Sequence, residues 1–263
     1  MKKLIFAIAL VTILISGTLL TGCHRVLIST DNGSLSTRDY DFTDFTGIEI
    51  GHAFELEVTP SDVYKVTITA GESILKRVNV SKSGSVLKID IDGWFFSWHS
   101  TPKVTITMPV LTWLDLSGAS KGNARGFKSS EDFKLSLSGA SNLDIDMEAG
   151  KFESDLSGAS RLIGYLIAES SSFDLSGASE VKLTGSGGDL VVDGSGASHF
   201  ALEDFTANNA DIELSGASHA SLDISGRMDV SLSGASSLEY EGSPTLGRLD
   251  ISGVSDIEQK TER

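Results

Sequence analysis

The tetrapeptide Ser-Gly-Ala-Ser starts at Ser117, Ser138, Ser157, Ser176, Ser195, Ser215 and Ser233, and Ser252 opens the variant Ser-Gly-Val-Ser. A serine beside a glycine invites comparison with an acyl-transfer nucleophile. That chemistry needs one hydroxyl activated by one base, and the chain has no Gly-x-Ser-x-Gly elbow. Eight equivalent serines describe architecture instead. The second candidate is the column two residues before each motif: Asp115, Ser136, Asp155, Asp174, Asp193, Glu213, Ser231 and Asp250. Two full charges stacked ~4.8 Å apart repel by about 1 kcal/mol in water. Asp155, Asp174, Asp193 and Glu213 would offer Ca²⁺ the carboxylate oxygens it prefers, although a solvated acidic face accounts for the same column. The third is His199 and His219, each four residues after a motif serine, with Glu180 at that place one repeat earlier. They could form a small transition-metal or pH-responsive site, with ordinary surface histidines as the simpler account. The last is Trp94, Phe95, Phe96 and Trp98, four aromatics in five residues. They read either as an exposed contact for a sugar, a partner or a membrane interface, or as a plug over one end of the fold.

Positioning these groups requires a repeating element. The motif recurs at spacings of 21, 19, 19, 19, 20, 18 and 19 residues, and a period near 20 predicts a solenoid whose coils bury their faces by stacking. One residue before the motif stand Leu116, Leu137, Leu156, Leu175, Gly194, Leu214, Leu232 and Ile251, and three before stand mostly Leu, Val, Ile or Phe. With polar residues between them, this is the period-2 signature of a strand. A second strand follows each motif, as at Leu143 and Ile145 or Leu222 and Ile224. The glycines Gly118, Gly139, Gly158, Gly177, Gly196, Gly216, Gly234 and Gly253 are expected to turn a tight corner. Ala is expected inside, with the serine hydroxyls passing hydrogen bonds from coil to coil. The N-terminal half alternates at Ile48–Ile50, Phe54–Val58, Val63–Ala70, Val86–Ile91 and Val104–Met108, with one helical turn expected over Gly71–Arg77. Those strands are expected to continue the sheet and cover one end.

Composition agrees with a packed fold. Gly and Ser number 27 and 40 of 263 residues, but 40% of the chain is hydrophobic and 22% charged, enough to build a core. A net charge of −15 argues against a nucleic-acid backbone as partner. One cysteine excludes an internal disulfide framework and any Cys-based zinc cluster. Lys2 and Lys3 precede an uncharged apolar run from Leu4 to Leu20, and Leu20-Thr21-Gly22-Cys23 follows. This describes an export signal, and it resembles the lipobox of bacterial lipoproteins. The resemblance implies cleavage between Gly22 and Cys23, lipid attachment at Cys23 with acylation (such as palmitate) of the new amino terminus, and residence on the extracytoplasmic face of a bacterial membrane. Several acyl chains on one cysteine suffice for stable anchoring. The expected organisation is a signal peptide over 1–22, a lipidated cysteine and tether over 23–40, one β-helical domain over 41–258 and a polar tail over 259–263. Within that domain, 41–110 holds irregular strands and 111–258 the repeats.

The ordered series Phe45-Thr46-Gly47-Ile48-Glu49-Ile50, Ala53–Val58, Tyr64–Thr69, Leu87-Lys88-Ile89 and Val104–Pro109, followed by iterated Ser-Gly-Ala-Ser, resembles the putative auto-transporter adhesin head GIN domain family. The resemblance covers about residues 40–255. It implies an all-β, right-handed parallel β-helix on secreted or lipid-anchored proteins and supplies no catalytic residues; the usual crossover rule gives the same hand. The expected function is therefore a non-enzymatic envelope lipoprotein, an adhesin or a binding or structural module, touching the membrane through its anchor and a surface glycan or protein through its coils. The alternatives are a polysaccharide-active β-helix enzyme, which would need a local cluster of carboxylates with Arg or Lys, and an envelope-stress accessory protein.

Overall fold

The alternation before each motif becomes a strand, and each strand stacks in parallel on its counterpart one repeat away. The computed structural model describes residues 34–93 and 101–260. Ahead of the repeats come β1 (Leu35–Tyr40), β2 (Gly47–Ile50), β3 (Glu55–Pro60), β4 (Lys65–Gly71), the one-turn helix α1 (Glu72–Leu75), β5 (Val78–Ser83), β6 (Val86–Ile91) and β7 (Lys103–Met108). The repeats open with β8 (Trp113–Leu116), β9 (Lys121–Lys128), β10 (Phe133–Leu137), β11 (Asn142–Leu156), β12 (Arg161–Leu175), β13 (Glu180–Ser186) and β14 (Asp189–Gly194). They close with β15 (His199–Ala207), β16 (Ala210–Leu214), β17 (His219–Ile224), β18 (Arg227–Leu232), β19 (Ser237–Glu241), β20 (Thr245–Ile251) and β21 (Asp256–Gln259).

These strands form one hydrogen-bonded sheet wrapped into two faces around a single hydrophobic core. The first face stacks β6, β2, β8, β10, the second halves of β11 and β12, β14, β16, β18 and β20 in parallel. The second stacks β7, β3, β9, the first halves of β11 and β12, β13, β15, β17, β19 and β21. Each motif carries the chain from the first face to the second. The coil made of β6 and β7 lies outside the one made of β2 and β3, although it follows it in sequence.

Beyond that outer coil the pairing turns antiparallel, with β5 on β6, β4 on β7 and β1 on β4. These strands and the buried Leu75 of α1 cover the end, as expected of the N-terminal half. Residues 35–40, expected in the tether, instead form β1 and pair with Val66–Gly71. At the opposite end, Leu246 and Leu249 of β20 are 47% and 48% exposed, whereas Met228 and Val230 beneath them are fully buried. Inside, Phe133, Phe152, Phe173 and Phe205 form a run of rings with centroids 5.7, 5.6 and 6.2 Å apart. Gly194 breaks the leucine column because the ring of Phe200 fills its place; a Cβ there would lie 2.7 Å from Phe200 Cε2.

The corners correct one expectation. Ala119, Ala140 and their counterparts are exposed, whereas the closing serines Ser120, Ser141, Ser160, Ser179, Ser198, Ser218 and Ser236 are at most 1% exposed. Those buried hydroxyls donate to the carbonyl of the opening serine of their own corner, for instance Ser160 Oγ to Ser157 O at 2.8 Å and Ser179 Oγ to Ser176 O at 2.9 Å. Between coils a backbone ladder, with Ala159 N–H donating to Gly139 O and Ala178 N–H to Gly158 O at 2.7 and 2.8 Å, is joined by serine hydroxyls as expected, for instance Ser198 Oγ donating to Leu175 O at 3.0 Å and Ser252 Oγ to Leu232 O at 3.3 Å. The motif glycines take φ of +74° to +79°, and from Gly139 onward each lies against the glycine of the preceding coil, so that a Cβ on Gly158 would stand 2.4 Å from Gly139 O. Only glycine combines that dihedral with that approach.

Candidate functional site

The acidic column is in register across the first face: Ser136, Asp155, Asp174, Asp193, Glu213, Ser231 and Asp250 lie on successive coils, with Asp115 before them. Asp155, Asp174, Asp193 and Glu213 face outward. Partial burial, then the neighbouring carboxylates, pushes Asp174 up from the ordinary carboxylate range, and partial burial followed by Glu213 does the same to Asp193. These carboxylates share one stripe, yet among the described residues no group of three His, Cys, Asp or Glu side chains is placed to hold a metal ion.

On the second face, Glu180, His199 and His219 occupy one column, as their spacing predicted. The two imidazoles stack with centroids 5.1 Å apart and planes 10° from parallel. Burial, and next the neighbouring His199, lowers the pKa of His219, which favours its neutral form. Glu180 is turned to Arg161, with 3.1 Å between Oε1 and the guanidinium. The column brings the histidines together and leaves the carboxylate engaged elsewhere.

Among the described residues, a corner that departs from the motif lies at the capped end, ahead of the first Ser-Gly-Ala-Ser. Ile50 is in register with Leu116, so Gly51-His52-Ala53-Phe54 takes the place of Ser117-Gly118-Ala119-Ser120 one coil away. The bonds match: Ser117 N–H donates to Ile50 O, Ala119 N–H to His52 O and Lys121 N–H to Phe54 O. His52 adopts φ of +68° at the glycine position, and Phe54 fills the buried serine position. His52 Nδ1 lies 2.6 Å from Asp90 Oδ1, and Lys88 Nζ lies 2.5 Å from Glu49 Oε1. Burial chiefly, with Glu49 adding and Lys88 opposing, raises the pKa of Asp115, while Lys88 is raised by its bond and attraction to Glu49. Glu49, Gly51, His52, Lys88, Asp90, Ser117 and Gly118 line an open cleft of about 400 Å³. Continued alternation was the available signal: Ile48, Ile50, Phe54, Leu56 and Val58 stand at the offsets from Gly51 that Leu135, Leu137, Ser141, Leu143 and Ile145 keep from the opening Ser138.

Gly22, Cys23, Trp94, Phe95, Phe96 and Trp98 lie outside the described residues. Among the described residues, no helix is long and apolar enough to cross a membrane.

The family model described as Putative auto-transporter adhesin, head GIN domain, matches residues 44–244. The chain belongs to this family. No curated protein matches the GIN-domain chain, but solved structures share its fold. A putative lipid binding protein from Parabacteroides distasonis superposes with a TM-score of 0.80 at 18% identity, over 88% of this chain and 98% of its own. A putative adhesin from Parabacteroides merdae gives 0.79 at 16% identity, over 87% and 97%. A putative adhesin from Bacteroides fragilis gives 0.61 at 20% identity, over 86% and 97%. At these identities the likeness speaks for the GIN-domain fold alone.

Proposed function

We propose that this GIN-domain protein is a non-enzymatic, adhesin-type binding module, exported and held by lipid on Cys23 at the extracytoplasmic face of a bacterial membrane. The observation that carries this reading is a solenoid whose interior is filled by its own side chains. Phe133, Phe152, Phe173, Phe200 and Phe205 are at most 2% exposed, so recognition falls to the outer surface of the coils. Adhesin and lipid-binding descriptions of fold relatives fit such a surface, and the filled core favours contact over carriage of a lipid inside. Right-handed winding goes with this reading through the crossover rule.

The test compares cells producing the full chain with cells producing Cys23→Ser. The full chain is expected to incorporate a palmitate analogue, to be removed by external protease and to increase attachment to immobilised cell-surface glycan or protein. Cys23→Ser should lose label and attachment together. Label independent of Cys23, or attachment unchanged by the protein, would refute the reading, as would depolymerisation of any polysaccharide.

A further inference from the structure

We propose that the irregular corner at the capped end is a saccharide-binding site, in which Glu49, His52, Lys88, Asp90 and Ser117 hydrogen-bond a neutral sugar seated over Gly51. This rests on the binding-module reading and gives it a place and a ligand class.

Three observations converge there. The ladder of corners is uniform through eight motifs and departs from glycine at His52, whose φ of +68° costs a non-glycine residue about 1–2 kcal/mol. The imidazole so placed reaches Asp90, which lies on β6 in the neighbouring coil. Gly51 supplies the second observation. Its dihedral is ordinary, yet a Cβ built on it would meet Asp90 Oδ1 at 3.3 Å and Ser117 Oγ at 3.6 Å. The glycine thus leaves a notch between a carboxylate and a hydroxyl that belong to two other coils. The third is the cleft itself, whose volume of about 400 Å³ lies within the usual range for small-ligand sites.

The chemistry of the lining selects the ligand. Lys88 donates, Glu49 and Asp90 accept, and His52 and Ser117 can do either. A sugar hydroxyl also donates and accepts, so a ring with several hydroxyls can satisfy this mixed set at once. An anion would meet two carboxylates against one ammonium. An apolar ligand would strip water from five polar side chains without replacing their hydrogen bonds. A bare metal ion lacks a suitable set of three ligands among the described residues.

Two substitutions remove the site while leaving the fold. His52→Gly restores the residue found at this position in the eight motifs, and Gly51→Ala fills the notch from a backbone that accepts alanine. The full chain in detergent is titrated with neutral oligosaccharides of glucose, galactose, mannose and N-acetylglucosamine by ligand-observed NMR and calorimetry. Oligogalacturonate and spermine serve as acidic and cationic probes, and urea midpoints are recorded for each protein. The expected result is binding of at least one neutral oligosaccharide, weakened roughly tenfold or more by each substitution with the urea midpoints held. Undiminished affinity in both variants would overturn the site, as would binding of the acidic or cationic probe alone. Attachment of cells without saccharide binding would also overturn the site and leave the adhesin reading standing. Loss of both attachment and binding would remove the two together.

Discussion

Replacing one corner glycine tests the ladder more directly than any core truncation. Gly158 has φ of +79°, and a methyl there would sit 2.4 Å from the carbonyl oxygen of Gly139. The left-handed backbone alone costs alanine about 1–2 kcal/mol. Relieving the contact means lifting one coil off the next, against the 2.7 Å bond from Ala159 N–H to that same oxygen. Overpacking of this kind adds about 1–3 kcal/mol. The stiffer unfolded chain returns about 0.4–1 kcal/mol. Gly158→Ala is therefore expected to lose about 2–4 kcal/mol. Gly84→Ala is the matched control, since φ is +58° and nothing lies within 4 Å of its Cβ position, leaving only the dihedral cost of about 1 kcal/mol. Urea unfolding followed by circular dichroism gives both losses, provided the slopes agree. Equal losses at the two sites would refute coil contact as the reason for glycine.

Ser179→Ala removes the hydroxyl that closes its corner and is expected to cost about 1 kcal/mol in the same assay; no loss would reassign the buried serine to a mere space filler. Phe173→Ala, in the middle of the ring run and fully buried, should cost about 3–5 kcal/mol in urea unfolding. Asp193, with its pKa raised mainly by burial and then by Glu213, holds its proton more tightly folded than unfolded, so its ionisation lowers stability at neutral pH and the penalty fades as pH falls through the folded value. Asp193→Asn should accordingly raise the urea midpoint at pH 7, by no more than about 1 kcal/mol for so exposed a group, and lose that advantage in acid; a less stable variant at pH 7 contradicts the sign. Asp229 behaves oppositely, because the hydrogen bond from Arg227 leads in holding it down to about 2. Its contribution is present above the unfolded value and lost as pH falls through about 2, so Arg227→Ala should flatten the acid limb of the stability profile measured by urea unfolding.

The coils were legible because one rule, alternation at period 2, recurs around every motif, with breaks only farther along the second strands, as in β9 and β15. It holds even across the corner: core residues stand one and three before the opening serine, and the buried serine and strand leucines stand three, five and seven after it, as with Leu135, Leu137, Ser141, Leu143 and Ile145. The small size of Ala suggested that it would lie inside; instead Ala is exposed and the closing serine is buried, since its hydroxyl finds an acceptor in its own corner. The order of coils at the capped end was not legible. Parallel pairing can add β6 on either side of β2, and no local residue states which. The Gly51–Phe54 corner was missed for a different reason. It keeps the offsets of the core while changing the letters of the motif.

That difference bears on where function sits. A solenoid corner has two requirements, a residue tolerant of positive φ and a residue that fits inside, and Gly with Ser meets both at low cost. His52 meets the first at higher cost, and Phe54, fully buried, meets the second with favourable apolar burial. Local strain persists only where the surroundings over-determine it. A purely structural role for His52 requires Gly at that position to weaken the fold, although eight neighbouring corners use Gly. A binding role requires the fold to hold and the ligand to be lost. Stability and affinity measured on the single substitution His52→Gly therefore separate architecture from function at the one corner where the repeat gives them different predictions.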